Sequence, residues 1–142
     1  MSSDARESIA LAGVKGVEWL VEAFGCSEKS LTDPDRLGRL FEQIVSELKL
    51  TPIGAPQWHT FPVTGGVTGF WLLKESHLAI HTFPEFRSAC INLFCCTWHG
   101  EPDWNRDIGP HLGSSRLRIR ELSRDYAPGR EVARESEKEV RV

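Results

Sequence analysis

The 142-residue sequence predicts an α+β fold, a two-layer sandwich in which an antiparallel sheet carries helices packed on one face. Three observations predict it. Several segments alternate apolar with polar residues as half-buried strands do, and one segment bears an apolar stripe at helical spacing behind a capped start. The elements run in the order strand, helix, three or four strands, helix, strand, which favours antiparallel pairing.

From Gly16 to Phe24, Val17, Trp19, Val21 and Ala23 alternate with Glu18, Leu20 and Glu22, the pattern of a strand with one better-buried face. Gly25 ends it. Asp33 then offers an N-cap with Pro34 at the first helical position, and Leu37, Leu40, Phe41, Ile44, Val45 and Leu48 recur on one face. That stripe is read as domain core. Strands are expected over Thr51 to Phe61, Val67 to Leu73 and Leu78 to Phe83, joined through Gly65-Gly66 and Lys74-Glu75, with a further run from Ala89 to Cys96. Between Asp103 and Leu112, Trp104, Ile108 and Leu112 have helical spacing, but Gly109 and Pro110 predict a short or broken helix. Arg116 to Leu122 alternates like an edge strand, and the charge-rich remainder beyond Pro128 has little to bury. The expected organisation is a flexible N-terminus over 1–13, a single domain over 14–126 and a charged mobile tail over 127–142. The uncovered sheet face, rich in Phe70, Trp71, Leu72 and Leu73, calls for a second copy as cover, which makes a homodimer the expected partner.

Composition narrows the function classes. A formal net charge of −3, with Lys and Arg scattered or confined to the last third, argues against a nucleic-acid partner. Met1 to Gly13 lacks the cationic start and long apolar region of a secretion signal, and no later stretch approaches the roughly 20 apolar residues of a membrane span. A cytoplasmic protein is expected, with no membrane partner. Cys26, Cys90, Cys95 and Cys96 then sit in a reducing compartment and form no C-x-x-C pair.

The chemistry-bearing stretch runs from Gly66 to Glu85, followed by Cys95-Cys96. Three readings compete. His77 and His81, four apart on a strand, could join the cysteines and His99 in holding a metal, although no second ligand pair has a recognised zinc spacing. Cys95 or Cys96 could serve as a nucleophile with a histidine base, although no nucleophile elbow is present. Taken singly, each of these residues is better explained by packing. In the third reading, Ser76 attacks its own chain at a tight connection, turning the Glu75–Ser76 amide into an ester by an N-to-O acyl shift. Elimination then yields dehydroalanine, which tautomerises and hydrolyses to a pyruvoyl group.

Residues 75–85, Glu-Ser-His-Leu-Ala-Ile-His-Thr-Phe-Pro-Glu, resemble the Glu-Ser-His-x-x-x-His-Thr-aromatic-Pro-Glu signature of the bacterial S-adenosylmethionine decarboxylase proenzymes. The likeness extends more loosely from Gly16, through Phe24-Gly25-Cys26 and Gly66-Val67-Thr68-Gly69, to Cys96. Cleavage between Glu75 and Ser76 is what the resemblance implies, with Ser76 the pyruvoyl precursor, His81 the base that assists elimination, and Cys96 the acid that protonates the substrate carbon. It further implies that Thr68 stands for a serine used in processing, Phe61 stacks on the adenine, and Glu85 holds the ribose hydroxyls. No metal is implied.

Physical chemistry agrees with these roles. A pyruvoyl ketone condenses with an α-amino group and takes up the electrons that decarboxylation releases, and a thiol can return the proton without carrying a permanent charge. Cys95, on the opposite face from Cys96, is expected to pack. Ser76 and His81 are five residues apart and would face opposite sides of a regular strand, so Ser76 is expected in the turn. The departures from the family pattern are Lys74 where a small residue is frequent, Thr97 where glycine is common, and Thr68 for serine. The expected function is decarboxylation of S-adenosylmethionine for spermidine synthesis. Two alternatives stay open: the same machinery acting on arginine or ornithine, and an unprocessed, non-catalytic homologue serving as a binding or regulatory subunit.

Overall fold

The computed structural model describes residues 15–127 and 135–142. The N-terminal segment expected to be flexible, and residues 128–134 of the expected tail, lie outside the described residues. Seven strands form one sheet: β1 (Lys15–Phe24), β2 (Gln57–Thr60), β3 (Val67–Leu73), β4 (Ser76–Phe83), β5 (Ser88–Cys95), β6 (Arg116–Asp125) and β7 (Glu135–Arg141). Three helices accompany them: α1 (Glu28–Leu31), α2 (Pro34–Glu47) and α3 (Trp104–Leu112). The strand order is β2-β3-β4-β5-β1-β6-β7, with every neighbouring pair antiparallel. The α+β class is as the sequence predicts.

The two faces of the sheet differ as strand parity dictates. Trp19, Val21, Leu78, Ile80, Ile91 and Leu93 point to one face and are buried beneath Leu37, Leu40, Phe41 and Ile44 of α2 and Ile108 and Leu112 of α3. The Asp33 carboxylate caps α2 by accepting the Asp35 and Arg36 N–H groups. Trp58 of β2 lies against Phe41 with ring centroids 4.9 Å apart, and Gly69 makes room for it, since a Cβ there would sit 2.1 Å from the indole. Among the described residues no layer covers the other face, and Phe70 and Leu72 stand 42% and 50% exposed there.

Three expectations need correction. The strand expected from Thr51 shrinks to β2, with Pro52 making only an isolated bridge to Leu73, because Pro52 and Pro56 lack the N–H that a ladder needs. The α3 segment, expected to be short or broken, is short, with 9 residues, and runs unbroken through Pro110. Pro110 and Arg106 are both exposed, so water can take the bond that the proline forfeits. Strand β6 is not an edge, because β7 pairs along it from Leu122↔Glu135 to Arg116↔Arg141. Residues 135–141 of the expected mobile tail therefore form a strand, held by Val140 packing on the core and by Arg116–Glu139 and Arg118–Glu137 ion pairs at 3.2 and 2.7 Å. Among the described residues no helix is long and apolar enough to cross a membrane.

Candidate active site

Leu73 pairs with Ser76, so the turn between β3 and β4 consists of Lys74 and Glu75 alone. Both are tied down. The Lys74 N–H donates to the Thr51 carbonyl at 2.8 Å, and the Glu75 carbonyl accepts the Cys96 N–H at 2.7 Å. The carbonyl that Ser76 would attack thus already faces a backbone donor, the arrangement that stabilises a developing oxyanion. Ser76 itself is not in the turn, as parity had suggested, but is the first residue of β4, paired with Leu73 on one side and Cys95 on the other. A two-residue turn leaves the ladder complete through position 76. Its side chain falls on the helix face by strand parity, and the residue is 9% exposed.

His81 lies on the opposite, open face, about 16 Å further along the strand at ~3.3 Å per residue. Its Nδ1 lies 3.0 Å from the Thr68 hydroxyl of β3, directly across the ladder. The cross-strand row continues through Cys90, Glu22 and Arg118, with His59 on the far side of Thr68. His77 shares this face, but its Nε2 meets the Asn92 Oδ1 at 3.0 Å and its ring lies between Phe70 and Phe94. Its partners are those of a packed residue. His99 meets the Thr97 hydroxyl at 3.2 Å. Among the described residues, no three or more His, Cys, Asp or Glu side chains are gathered as metal ligands would be.

The cysteines separate by environment. Cys95 is fully buried on the helix face, and burial, aided by the neighbouring Cys96, pushes its thiol up to about 12. Cys26 is likewise buried and raised to about 11, with the Arg87 charge opposing. Cys96, one residue past the end of β5, is partly exposed, and its carbonyl accepts the Tyr126 hydroxyl at 3.1 Å. Thr82 also looks chemical in the motif, yet it is structural: its Oγ1 accepts the Val67 N–H and donates to the Leu31 carbonyl.

Phe61 and Glu85 line one cavity of about 310 Å³, with Val63, Thr64 and Phe83. An exposed aromatic edge beside a carboxylate suits a flat heterocycle joined to a diol. This cavity lies at the far end of β4 from Ser76, about 23 Å away at ~3.3 Å per residue. One chain therefore holds three separated groups: the Glu75, Ser76 and Cys96 end, the Thr68–His81 pair, and the Phe61–Glu85 cavity. Sequence reasoning missed the Cys96 N–H and Tyr126. A backbone donor leaves no residue-type signal, whereas Tyr126, the single tyrosine, at least stands out in composition.

Residues 17–125 match a family model described as S-adenosylmethionine decarboxylase. The S-adenosylmethionine decarboxylase proenzyme of Methanococcus maripaludis strain C5 is 31% identical over 110 residues, covering 77% of this chain and 88% of the relative. The protein of the same name from Saccharolobus solfataricus is 28% identical over 117 residues, covering 82% and 92%. That from Thermococcus onnurineus is 31% identical over 88 residues, covering 62% and 61%. These relatives are archaeal, so the expected likeness holds for the decarboxylase proenzymes but not for its bacterial qualifier.

Proposed function

The chain belongs to the S-adenosylmethionine decarboxylase family, and from that premise we propose that it is a self-processing, cytoplasmic S-adenosylmethionine decarboxylase whose product serves aminopropyl transfer in spermidine synthesis. The observation that carries the reading is the Cys96 N–H lying 2.7 Å from the Glu75 carbonyl, at the peptide the motif marks for cutting. Ser76 supplies the hydroxyl. Its attack places negative charge on the Glu75 oxygen, which the Cys96 N–H receives; collapse breaks the C–N bond, leaving an ester on the serine oxygen and a free amine. Removal of the residue 76 α-proton then expels the Glu75 carboxylate, and water completes the conversion with loss of ammonia. A turn clamped at Lys74 and Glu75 fits a pyruvoyl precursor at Ser76. The pyruvoyl ketone supplies the electron sink for decarboxylation.

The chain's own residues divide the remaining work. Cys96 returns a proton to the substrate carbon, Phe61 stacks on the adenine, and Glu85 accepts the ribose hydroxyls. Once the chain is cut, residue 76 begins a strand and the parity that turned it to the helix face no longer binds it. The base is different, because His81 stays on the open face of an uncut strand. We therefore assign the Thr68–His81 pair and the Phe61–Glu85 cavity that act on one Ser76 to a second copy, docked through the open sheet face in a homodimer. The half-exposed Phe70 and Leu72 support that face as the contact.

Intact mass of the denatured protein tests the central claim. Two fragments are expected, one ending at Glu75 and one whose first residue resists amine-specific labelling. A single chain of 16.0 kDa with an ordinary serine at position 76 overturns the reading.

A further inference from the structure

Cys96 is the first residue beyond the β5 ladder, which ends at the Val17↔Cys95 pair. From there β1 continues to Lys15 paired with β6. Among the described residues, no strand neighbour pairs with Cys96. The loop that follows is anchored elsewhere: Trp98 lies 5.8 Å from Trp19, Glu101 pairs with Lys138 of β7 at 3.2 Å, and the Asp103 N–H donates to Glu47 at 3.0 Å. Each of these anchors acts past Cys96. The residue itself is held at two points, its N–H on the Glu75 carbonyl and its C=O under the Tyr126 hydroxyl. Tyr126 reaches it from just past the end of β6, across the start of β1.

We propose that Tyr126 is a positioning residue for Cys96, its hydroxyl bond fixing the main chain so that the N–H stays on the Glu75 carbonyl and the thiol is presented in one direction. The inference rests on the reading that Glu75–Ser76 is cut and that Cys96 is the proton donor. With both ends of one residue held, φ and ψ lose their freedom, and the direction of the Cα–Cβ bond follows. Releasing the carbonyl frees ψ, and the N–H contact and thiol direction both drift. Tyr126 is proposed to act through Cys96, whose carbonyl its hydroxyl bonds at 3.1 Å. A neutral hydrogen bond of this kind is worth a factor of about 2 to 10.

Tyr126→Phe keeps the ring and removes only the hydroxyl, so loss of packing does not confuse the result. In the uncleavable Ser76→Ala background, amide hydrogen exchange at Cys96 is expected to quicken by about 2- to 10-fold while Ile91 and Leu93 in the same strand stay unchanged. In the cleavable chain, the same substitution is expected to slow appearance of the two fragments by a similar factor and to lower kcat with KM unmoved. Unchanged exchange at Cys96, or acceleration spread evenly along β5, overturns the positioning role. If the unsubstituted chain stays whole, the processing reading fails on its own, and the exchange result still decides whether Tyr126 holds Cys96.

Discussion

At position 96, main chain and side chain do different things, and they are separable by substitution. The N–H faces the Glu75 carbonyl, and the residue is partly exposed; in the function we propose, the N–H serves the cut and the thiol serves the later proton return. Cys96→Ala removes the thiol and keeps the N–H. Cleavage is therefore expected at close to the normal rate, while turnover of S-adenosylmethionine falls by about 100-fold or more, the typical worth of a positioned proton donor. Fragment mass and carbon dioxide release on one preparation check this, and equal loss of both activities contradicts the division. Cys95 offers the contrast, because a thiol raised to about 12 within the core donates no proton near neutrality and fills space instead. That Cys95 packs was readable from strand parity, whereas Cys96 was singled out by the resemblance. That position 96 also turns its amide to the Glu75 carbonyl was not readable, since every residue type except proline carries one.

Between α2 and α3 lies a seam of polar groups inside an otherwise apolar layer. Asp107 of α3 is fully buried, and burial first, then hydrogen bonding and charge from Glu47, push its carboxyl up to about 7 against the opposing Arg106. For Glu47 burial acts upward too, but hydrogen bonds from Asp107 and the Asp103 N–H, together with Arg106, outweigh it and leave that carboxyl below its ordinary range. Of the two carboxyls, Asp107 is therefore the one that keeps its proton to higher pH. The Gln43 amide donates to Asp107 at 2.7 Å and accepts from His111 at 2.7 Å, while burial and the charges of Arg36 and Arg39 hold that imidazole's pKa down. Because the folded Asp107 binds its proton more tightly than the unfolded one, its contribution is fully present below about pH 4. It is lost as pH rises through about 7. Asp107→Asn is expected to flatten the fall in melting temperature across that window and to be more stable than the parent at pH 8, by on the order of 1–2 kcal/mol. Thermal unfolding across pH measures it; an unaltered slope in the variant removes the raised Asp107 carboxyl from the account. The elements on either side were legible to different degrees. Asp33, Pro34 and a clean apolar stripe specify α2 locally, whereas β7 has the composition of a solvated tail and becomes a strand only because β6 offers an unpaired edge and complementary arginines. No local pattern reports a partner strand supplied from elsewhere in the chain.

Across the whole molecule the motif residues lie close in sequence and far apart in space. Ser76 and His81 are separated by strand parity, and Ser76 and Glu85 by the length of β4. The motif was legible because chemistry restricts residue types at each position; its geometry was not, because a strand spreads contiguous residues over two faces and two ends. The open sheet face that carries Thr68 and His81 also carries the Glu22–Arg120 pair at 2.6 Å, with Glu22 Oε2 and Arg120 Nε buried and, among the described residues, lacking hydrogen-bond partners. A covering layer would supply donors and acceptors for both. If that layer is a second copy related by a two-fold axis, each Ser76 is served by the His81 of the other chain, and defects at the two positions should complement one another. Alone, neither Ser76→Ala nor His81→Ala is expected to be cut. Co-produced in equal amounts with distinguishable masses and paired at random, they should form mixed dimers in which His81→Ala chains, whose serine is intact, meet a working histidine. Roughly half of those chains should then appear as fragments, while the Ser76→Ala chains stay whole. No cleavage in the mixture, in a preparation shown to contain mixed dimers, would place the base in the same chain as its serine and require β4 to unpair before processing.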